Sequence, residues 1–247
     1  MLHKQEKIII PLFYNDYTTT HIGLSVDGVL VAKKSILNKH ASIQLITVFD
    51  ELLSAHCMTI DDVSSFALYC GPAPFTTLRS IIATVNALAY ATGKSIYAIN
   101  GMYACIWLIM QRKKFKNGDA LCVVHEAFCG DVYYAWYVVC DNETVPNFDT
   151  ITINCLPRAQ CVEQFRELSQ HSFISTIYFA GNAFDDVLFF DNISHAIGVA
   201  YWQIQPVLSM PTMDDLHMIL ILSLQLTSCS PVSREQLVEP LYIKKAL

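Results

Sequence analysis

The sequence predicts an α/β protein made of two successive halves, each a mixed β-sheet with flanking helices. Short apolar segments of strand length alternate with longer segments in which apolar residues recur at helical spacing. The order of these segments partly repeats after a lysine-rich break near residue 115. Apolar residues make up 53% of the 247 residues, which is enough to fill a sizeable core.

The first half is predicted to contain a hairpin meander followed by strand–helix–strand units. Asp27-Gly28 is the residue pair that best favours a tight hairpin turn. In the second helix, Pro74 lies at the start and Gly93 follows the end, as is typical of helix boundaries. The predicted strands cover residues 7–14, 21–26, 29–34, 64–70 and 95–99, and the predicted helices cover 38–56 and 74–92.

The second half repeats much of this order, with a helix that starts after Pro157 and strands at 120–124, 132–139, 151–155 and 176–180. Such a repeat predicts a duplicated RNase H-like fold, the type found in actin-like ATPases and sugar kinases. We therefore expect one subdomain over residues 1–103 and a second over 104–247. A C-terminal helix near 213–228 is expected to pack back across the halves.

The charge content indicates a protein that hides part of its surface against a partner. Only 15% of the residues are charged, whereas an ordinary soluble domain has about 25%. The net charge of −6 argues against a protein that binds nucleic acid on its own, because phosphate contacts need clustered Lys and Arg. The one basic cluster, Arg112, Lys113, Lys114 and Lys116, is interpreted as a solvated loop between the halves.

The cysteines and the apolar segments predict a cytoplasmic protein without a membrane span. There are nine cysteines, an odd number, and no two have Cys-x-x-Cys spacing. Most lie in apolar segments, where a free thiol behaves as a small hydrophobic group in a reducing compartment. Residues 1–7 lack an apolar signal core, and the uncharged segment 95–111 is shorter than the roughly 20 residues that a bilayer requires.

The two helices of the first half each carry a second stripe of residues besides the one expected to cover the sheet. A helix on a single sheet needs one apolar stripe, and a wider apolar surface indicates burial on more than one side. In helix 38–56, the stripe predicted to face the sheet contains Leu45, Val48, Phe49 and Leu52, and the second contains Ile43, Ile46 and Leu53. In helix 74–92, the corresponding stripes are Phe75, Leu78, Ile82, Val85 and Ala89, and the small residues Thr76, Ser80, Ala83 and Ala87.

We predict that the second stripes form a helical docking surface. Small side chains allow another helix to approach closely. The alternative is that both helices pack only on their own domain and on each other. The predicted partner-binding residues are His40, Ile43, Ile46, Thr47, Thr76, Arg79, Ser80, Ala83 and Ala87.

Five short segments carry a family resemblance, and they keep the family order over residues 40–243. Residues 71–79, Gly-Pro-Ala-Pro-Phe-Thr-Thr-Leu-Arg, stand where the family has Gly-Pro-Gly-Ser-Phe-Thr-Gly-Leu-Arg. Residues 126–133, Glu-Ala-Phe-Cys-Gly-Asp-Val-Tyr, parallel Asp-Ala-Arg-x-Gly-Glu-Val-Tyr. The others are His40-Ala41-Ser42, Gly181-Asn182 and Glu239-Pro240-Leu241-Tyr242-Ile243. Together these segments resemble the TsaB (YeaZ) family.

This resemblance implies a non-catalytic subunit that binds a TsaD-like catalytic paralogue through the two helices. The complex would transfer a threonylcarbamoyl group to a tRNA adenosine. ATP, the threonylcarbamoyl-adenylate and the metal would be held by the TsaD-like subunit, so this chain would need no cofactor. A TsaE-like ATPase would join the complex, and tRNA would be reached only through it. The same helices could form a homodimer, since the paralogues share the helices that dock.

The sequence departs from the family at loops that would approach a phosphate. The family's first strand runs into Asp-Thr-Ser, whereas residues 11–16 are Pro-Leu-Phe-Tyr-Asn-Asp. Ala73 and Thr77 replace two loop glycines, and Phe128 stands in place of an arginine. Each lost glycine makes close backbone approach to a phosphate harder. Tight nucleotide binding is therefore not expected.

No catalytic or metal-binding residue is predicted. No two of the eight histidines are spaced i, i+4, and Gly-x-Ser-x-Gly is absent. One alternative is a nucleotide-binding, kinase-like enzyme of the same fold, which would be supported by retained glycines and an Asp on the first strand. Another is a diverged homodimeric paralogue outside the tRNA pathway.

Overall fold

The computed structural model describes residues 7–140, 145–170, 174, 176–197, 211–225 and 238–239. In chain order, the strands are β1 (Ile9–Asn15), β2 (Thr19–Val26), β3 (Val29–Leu37), β4 (Ser65–Tyr69), β5 (Ser95–Ile99), β6 (Asp119–Glu126), β7 (Asp131–Val138), β8 (Thr152–Pro157) and β9 (Thr176–Ala180). The helices are α1 (Asn38–Ser54), α2 (Phe75–Thr92), α3 (Gly101–Arg112), α4 (Arg158–Ser169), α5 (Val187–Ile197) and α6 (Met213–Gln225).

These elements form two compact units. The first contains the described residues up to Asn100 together with α6, and the second begins at Gly101. The first sheet has the strand order β3-β2-β1-β4-β5, in which β1 is antiparallel to β2 and parallel to β4. The mixed sheet predicted for the first half is confirmed.

The hairpin between β2 and β3 turns at Asp27-Gly28, as predicted. Asp27 has φ 50° and Gly28 has φ 82°, which are the two left-handed conformations that a tight two-residue turn of this kind requires. Val26 and Val29 pair directly on either side of the turn. The Asp27 carboxylate accepts the Ile8 N–H at 2.8 Å and so ties the turn to the start of the sheet.

Helices α1 and α2 cover one face of the first sheet. Their buried side chains and those of the strands form one hydrophobic core, and burial of such side chains is the main stabilising term for this layer. Within that core Phe13 packs edge-on to Phe49, with the ring centroids 5.4 Å apart. Its members include Phe13, Ile22 and Leu24 from the sheet, Leu45, Phe49 and Leu52 from α1, and Leu78, Ile82 and Val85 from α2.

Helix α6 packs on β2 from the opposite face of the same sheet. Ser25 Oγ lies 2.9 Å from His217 Nε2, and Ser25 alternates with Leu24, which faces the α1 and α2 core. A Cβ added at Gly23 would lie 2.9 Å from Met213 Sδ, so the glycine allows the helix to approach. This helix, which was expected near 213–228, therefore packs on the first sheet; residues 226–228 lie outside the described residues.

The second unit repeats the order of the first. Its sheet has the strand order β8-β7-β6-β9, with β6 antiparallel to β7 and parallel to β9. Helix α4 precedes β9 as α1 precedes β4. Because strands, directions and helix positions correspond, the predicted duplicated fold is confirmed.

Helices α3 and α5 were not predicted from the sequence. Eight residues of α3 are buried, from Gly101 and Met102 to Ile109, so its apolar residues do not follow a one-sided helical period. The uncharged segment 95–111 is thus a strand followed by a buried helix. Across the described part of the chain, every helix is too short or too polar to cross a bilayer.

We predict that Gly181→Ala lowers the free energy of unfolding by about 3 kcal/mol or more, because of backbone strain and a steric clash. Gly181 has φ +109°, and a Cβ there would lie 2.0 Å from the Val124 carbonyl oxygen. Urea unfolding followed by circular dichroism measures the effect. Gly130→Ala is the matched control, because φ is +79° but no atom lies within 4 Å of the added Cβ. Its expected cost is about 1 kcal/mol, and equal costs at the two positions would contradict the clash at Gly181.

Candidate docking surface

Helix α2 has the boundaries that its sequence predicts. Pro74 is the residue before the first turn, and its carbonyl accepts the Leu78 N–H at 2.9 Å. Gly93 ends the helix in a left-handed conformation with φ 65°, and the Lys94 N–H then bonds to the Ala89 carbonyl at 3.0 Å. The helix is therefore fixed at both ends, and its exposed side is a stable surface.

The exposed side of α1 carries apolar residues. Ile43 is 80% exposed and Ile46 is 57% exposed, although both are large aliphatic side chains. His40 and Thr47 are exposed on the same helix. Leu53 was predicted to share a stripe with the two isoleucines, and this is wrong: it is 1% exposed and belongs to the core. The sheet-facing side of α1 is therefore wider at its C-terminal end than predicted.

On α2, the predicted second stripe is also at the surface. Thr76, Arg79, Ala83 and Ala87 are exposed, and Ser80 is half-buried. Phe75 was predicted to face the sheet, and this is wrong, since it is 42% exposed. Its ring lies against the Arg79 guanidinium, whose carbon is 5.2 Å from the ring centroid. Ile81, which the prediction omitted, is buried instead.

Tyr90 belongs to the same exposed side of α2 and was missed. It is 82% exposed, and it lies seven residues after Ala83, which is two helical turns. Extending the stripe by one further i, i+7 step would have identified it. Large aromatic side chains are enriched among the residues that anchor protein interfaces, so Tyr90 is a candidate for such a contact.

The exposed sides of α1 and α2 make one continuous surface. The two helices contact each other and lie on the same face of the sheet, so the sides that do not face the sheet are adjacent. We name the helix surface as the set of exposed or half-buried residues His40, Ile43, Ile46, Thr47, Phe75, Thr76, Arg79, Ser80, Ala83, Ala87 and Tyr90. All nine residues predicted to bind a partner are members of it.

The turn between β1 and β2 is closed by one of its own carboxylates. Asp16 Oδ1 accepts the backbone N–H groups of Thr18 at 2.7 Å and Thr19 at 2.6 Å. These are the groups that a phosphate would need for a backbone cradle. Because the Asp16 carboxylate already accepts both N–H groups, neither of them is left for a second anion at the turn. The negative charge of Asp16 would also repel that anion.

Asp16 is further held by His21. Its Oδ2 lies 2.9 Å from His21 Nε2, while His21 Nδ1 lies 2.8 Å from Ser35 Oγ. Burial would raise the pKa of Asp16, but the hydrogen bonds from His21, Thr18 and Thr19 lower it overall from the ordinary 3.8. This Asp–His–Ser series was not predicted from the sequence, because the three residues come together only when β2 pairs with β3. It ties the turn to the edge of the sheet.

Asn15 connects the same turn to the start of α1. It is 1% exposed, and its Nδ2 donates to Asn38 Oδ1 at 2.6 Å and to Thr20 Oγ1 at 3.2 Å. Asn38 in turn donates to the Asp16 carbonyl at 3.0 Å. The side chains at the family's Asp-Thr-Ser position thus hold the N-terminus of α1, the helix that carries half of the helix surface.

In the second unit, the Gly181-Asn182 segment has a structural role. Asn182 Oδ1 accepts the Glu126 N–H at 3.0 Å and lies 3.0 Å from His125 Nδ1. Burial lowers the pKa of His125 to about 4 despite this hydrogen bond, so the ring is neutral at pH 7. Cys105 Sγ lies 3.5 Å from His125 Nε2. These contacts fix β6 to the end of β9.

An open groove of about 550 Å³ lies between α4 and α5. Arg158 lines it and is paired with Glu126 and Asp186, and its guanidinium carbon lies 5.0 Å from the Phe189 ring centroid. Two carboxylates on one guanidinium leave little positive charge for a ligand. Phe128, which stands in place of the family arginine, is 82% exposed.

Among the residues that the structure describes, no three His, Cys, Asp or Glu side chains come together in a way that would hold a metal ion. Residues 240–243, which carry one of the five family segments, lie outside the described residues.

Comparisons with known proteins agree with the fold. A family model described as TsaD, tRNA N6-adenosine threonylcarbamoyltransferase, matches residues 34–168. A Pseudomonas aeruginosa protein solved as an uncharacterized protein with similarity to peptidase YeaZ has 16% identity and a TM-score of 0.65, covering 96% of this chain and 100% of that one. YeaZ from Pseudomonas aeruginosa has 17% identity and a TM-score of 0.62, covering 95% and 99%. No curated protein sequence matches this chain.

We predict that Asp16→Ala lowers the free energy of unfolding by about 2 kcal/mol at pH 7, the usual value for hydrogen bonds to a charged acceptor. Since the pKa of Asp16 is lowered in the folded state, its stabilisation is present above the unfolded pKa. It is lost as the pH falls through the folded pKa, so the difference between variant and parent shrinks from pH 7 to pH 3.

Chemical unfolding at several pH values measures this difference. Asp61→Ala is the control, because Asp61 is an exposed carboxylate, and its effect is expected to stay within about 0.5 kcal/mol. A cost for Asp16→Ala that is the same at pH 3 and pH 7 would show that the charge of Asp16 is not what closes the turn.

Proposed function

This chain belongs to the TsaD family of tRNA N6-adenosine threonylcarbamoyltransferases, and we propose that it acts in tRNA modification as a non-catalytic subunit. It binds a TsaD-like catalytic subunit through the helix surface and so supports threonylcarbamoyl transfer to a tRNA adenosine. The observation that supports this most strongly is the exposure of Ile43, Ile46 and Tyr90 on two adjacent helices. Large apolar side chains that are exposed within one helical layer of a folded domain are a feature of interaction sites.

The shape of the helix surface suits another pair of helices. Ala83 and Ala87 lie between larger residues, and small side chains let a partner helix pack closely. Helix α2 has 18 residues, which corresponds to a length of about 27 Å. Two helices of this length side by side offer an area of the same order as the roughly 800 Å² per partner in a standard interface. The docked state is then a bundle of four helices.

We propose that threonylcarbamoyl transfer takes place on the TsaD-like subunit. In this chain, the backbone N–H groups of the first turn bind Asp16, and this favours a subunit that holds no nucleotide phosphate there. ATP, the threonylcarbamoyl-adenylate and the metal are proposed to bind the TsaD-like subunit, a TsaE-like ATPase is proposed as a further partner, and this chain is proposed to need no cofactor. We propose a cytoplasmic location, which suits the free cysteines.

A second candidate function uses the same surface. A diverged paralogue outside the tRNA pathway would cover its helix surface with a second copy of itself, since the exposed Ile43 and Tyr90 side chains would gain an apolar contact in either case. The two candidates differ in stoichiometry and in the identity of the partner. A kinase-like enzyme of this fold is less favoured, because the Asp16 carboxylate occupies the first turn.

We predict that Ala83→Arg weakens binding to the TsaD-like subunit of the same organism by at least about a hundredfold, because it puts a guanidinium into an apolar contact. Co-purification and size-exclusion chromatography with light scattering measure complex formation and stoichiometry. Ala83 is exposed, so the free energy of unfolding is expected to change by no more than about 0.5 kcal/mol.

Ala159→Arg is the matched control. It makes the same change at an exposed helical residue, on α4 of the second unit and outside the helix surface, and is expected to leave binding unchanged. If Ala83→Arg binds the TsaD-like subunit as the parent does, the helix surface is not the docking site. A stable homodimer with no binding to the TsaD-like subunit would favour the diverged paralogue.

A further inference from the structure

We propose that the loop from Arg112 to Gly118 is a contact surface for the phosphate backbone of RNA. We name it the basic loop. The inference rests on the proposed function, because tRNA is then the substrate of the complex. It replaces two expectations from the sequence, that these residues form only a solvated loop and that tRNA is reached only through the complex. The basic loop holds four of the chain's sixteen Lys and Arg residues, at positions 112, 113, 114 and 116. Its chemistry is a close set of positive charges, which is what a phosphate backbone attracts.

The rest of the chain has a net negative charge, opposite to that of the basic loop. The net charge of the chain is −6, so without these four residues it would be −10. The net negative charge of the rest of the chain repels RNA, so a local cluster of positive charge biases where the RNA backbone approaches. The basic loop therefore attracts the RNA backbone and also sets how the chain is oriented on it.

The basic loop is held in one conformation by hydrogen bonds at its C-terminal end. The Lys116 N–H donates to Asp119 Oδ2 at 2.8 Å, and the Asp119 N–H donates back to the Lys116 carbonyl at 3.0 Å. The Gly118 N–H donates to the Val139 carbonyl at 3.0 Å. Because the backbone is already fixed, a ligand that binds there loses less conformational entropy than one that must order a free loop.

Aromatic rings hold the middle of the basic loop. The Lys113 Nζ lies 4.1 Å from the centroid of the Tyr178 ring, which belongs to β9. Phe115 packs edge-on to the same ring, with the centroids 4.9 Å apart. Tyr178 is 7% exposed, so its ring supports the basic loop and offers no free face for a base to stack on. The exposed positive charges of the basic loop therefore fit the backbone of RNA.

The outer lysines are available to bind. Lys114 and Lys116 are both exposed, and within the described ranges neither forms an ion pair with a carboxylate. Asp119, the acidic residue nearest in sequence, is 3% exposed and turned to the loop backbone. Lysine binds phosphate as a point charge without a fixed geometry, which suits a sequence-independent contact.

The test measures binding of fluorescently labelled, unmodified tRNA to the full chain by anisotropy at several salt concentrations. The expected result is binding that weakens with salt. Lys114→Glu/Lys116→Glu is expected to weaken it by at least about fivefold and to lower the slope of log K against log salt by about 2, because two phosphate contacts are lost. The control is Lys7→Glu/Lys94→Glu, an equal change of charge outside the basic loop, which is expected to change the affinity by less than about twofold.

Three results would overturn the proposal. The first is no tRNA binding by the parent chain at low salt, and the second is an equal loss in the variant and the control. The third is that poly-glutamate competes as well as an RNA of equal charge, which would assign the basic loop to acidic protein. Thermal unfolding checks that both variants fold. Co-purification of Lys114→Glu/Lys116→Glu with the TsaD-like subunit separates this proposal from the proposed function, because that complex is expected to form whether or not RNA binding is lost.

Discussion

The burial of β1 on both faces is the constraint on which the first unit depends. All seven residues of β1 are buried, so the sheet needs a helical layer on each side. Helices α1 and α2 form one layer with their bulky stripes, and α6 covers part of the other, where Gly23 allows close approach. Two adjacent helices on one face of a sheet must present their remaining sides outward. In this chain those sides carry Ile43, Ile46 and Tyr90, and the helix surface is a direct consequence of how the core is covered.

In the same unit, the turn between β1 and β2 is held by its own side chains. Asp16 binds the two N–H groups of its own turn, and Asn15 holds the start of α1 through Asn38. In the second unit, Asn182 and the buried neutral His125 similarly join β6 to the end of β9. In each unit, side chains at the end of a strand thus fix the elements around them.

Local signals in the sequence were enough to predict much of the fold. The Asp27-Gly28 turn and the Pro74 and Gly93 boundaries depend on backbone conformations that few residues adopt, and each lies where it was predicted.

Helix α3 was missed because it is buried on nearly all sides and so has no one-sided period. Phe75 was misplaced because the apolar period does not show that a ring at the first turn pairs with the Arg79 guanidinium and stays 42% exposed. The contact among Asp16, His21 and Ser35 depends on strand pairing, which no local pattern specifies.

We propose that the helix surface is covered in a complex with a TsaD-like subunit, and hydroxyl-radical footprinting measures this coverage for individual side chains. Tyr90 and Ile43 are 82% and 80% exposed, so both side chains are oxidised readily in the free chain. Phe128 in the second unit is 82% exposed and serves as the internal reference. We expect that adding the TsaD-like subunit protects Tyr90 and Ile43 from oxidation, while Phe128 is oxidised as in the free chain. Unchanged oxidation of Tyr90 and Ile43 in a complex that demonstrably forms would contradict it.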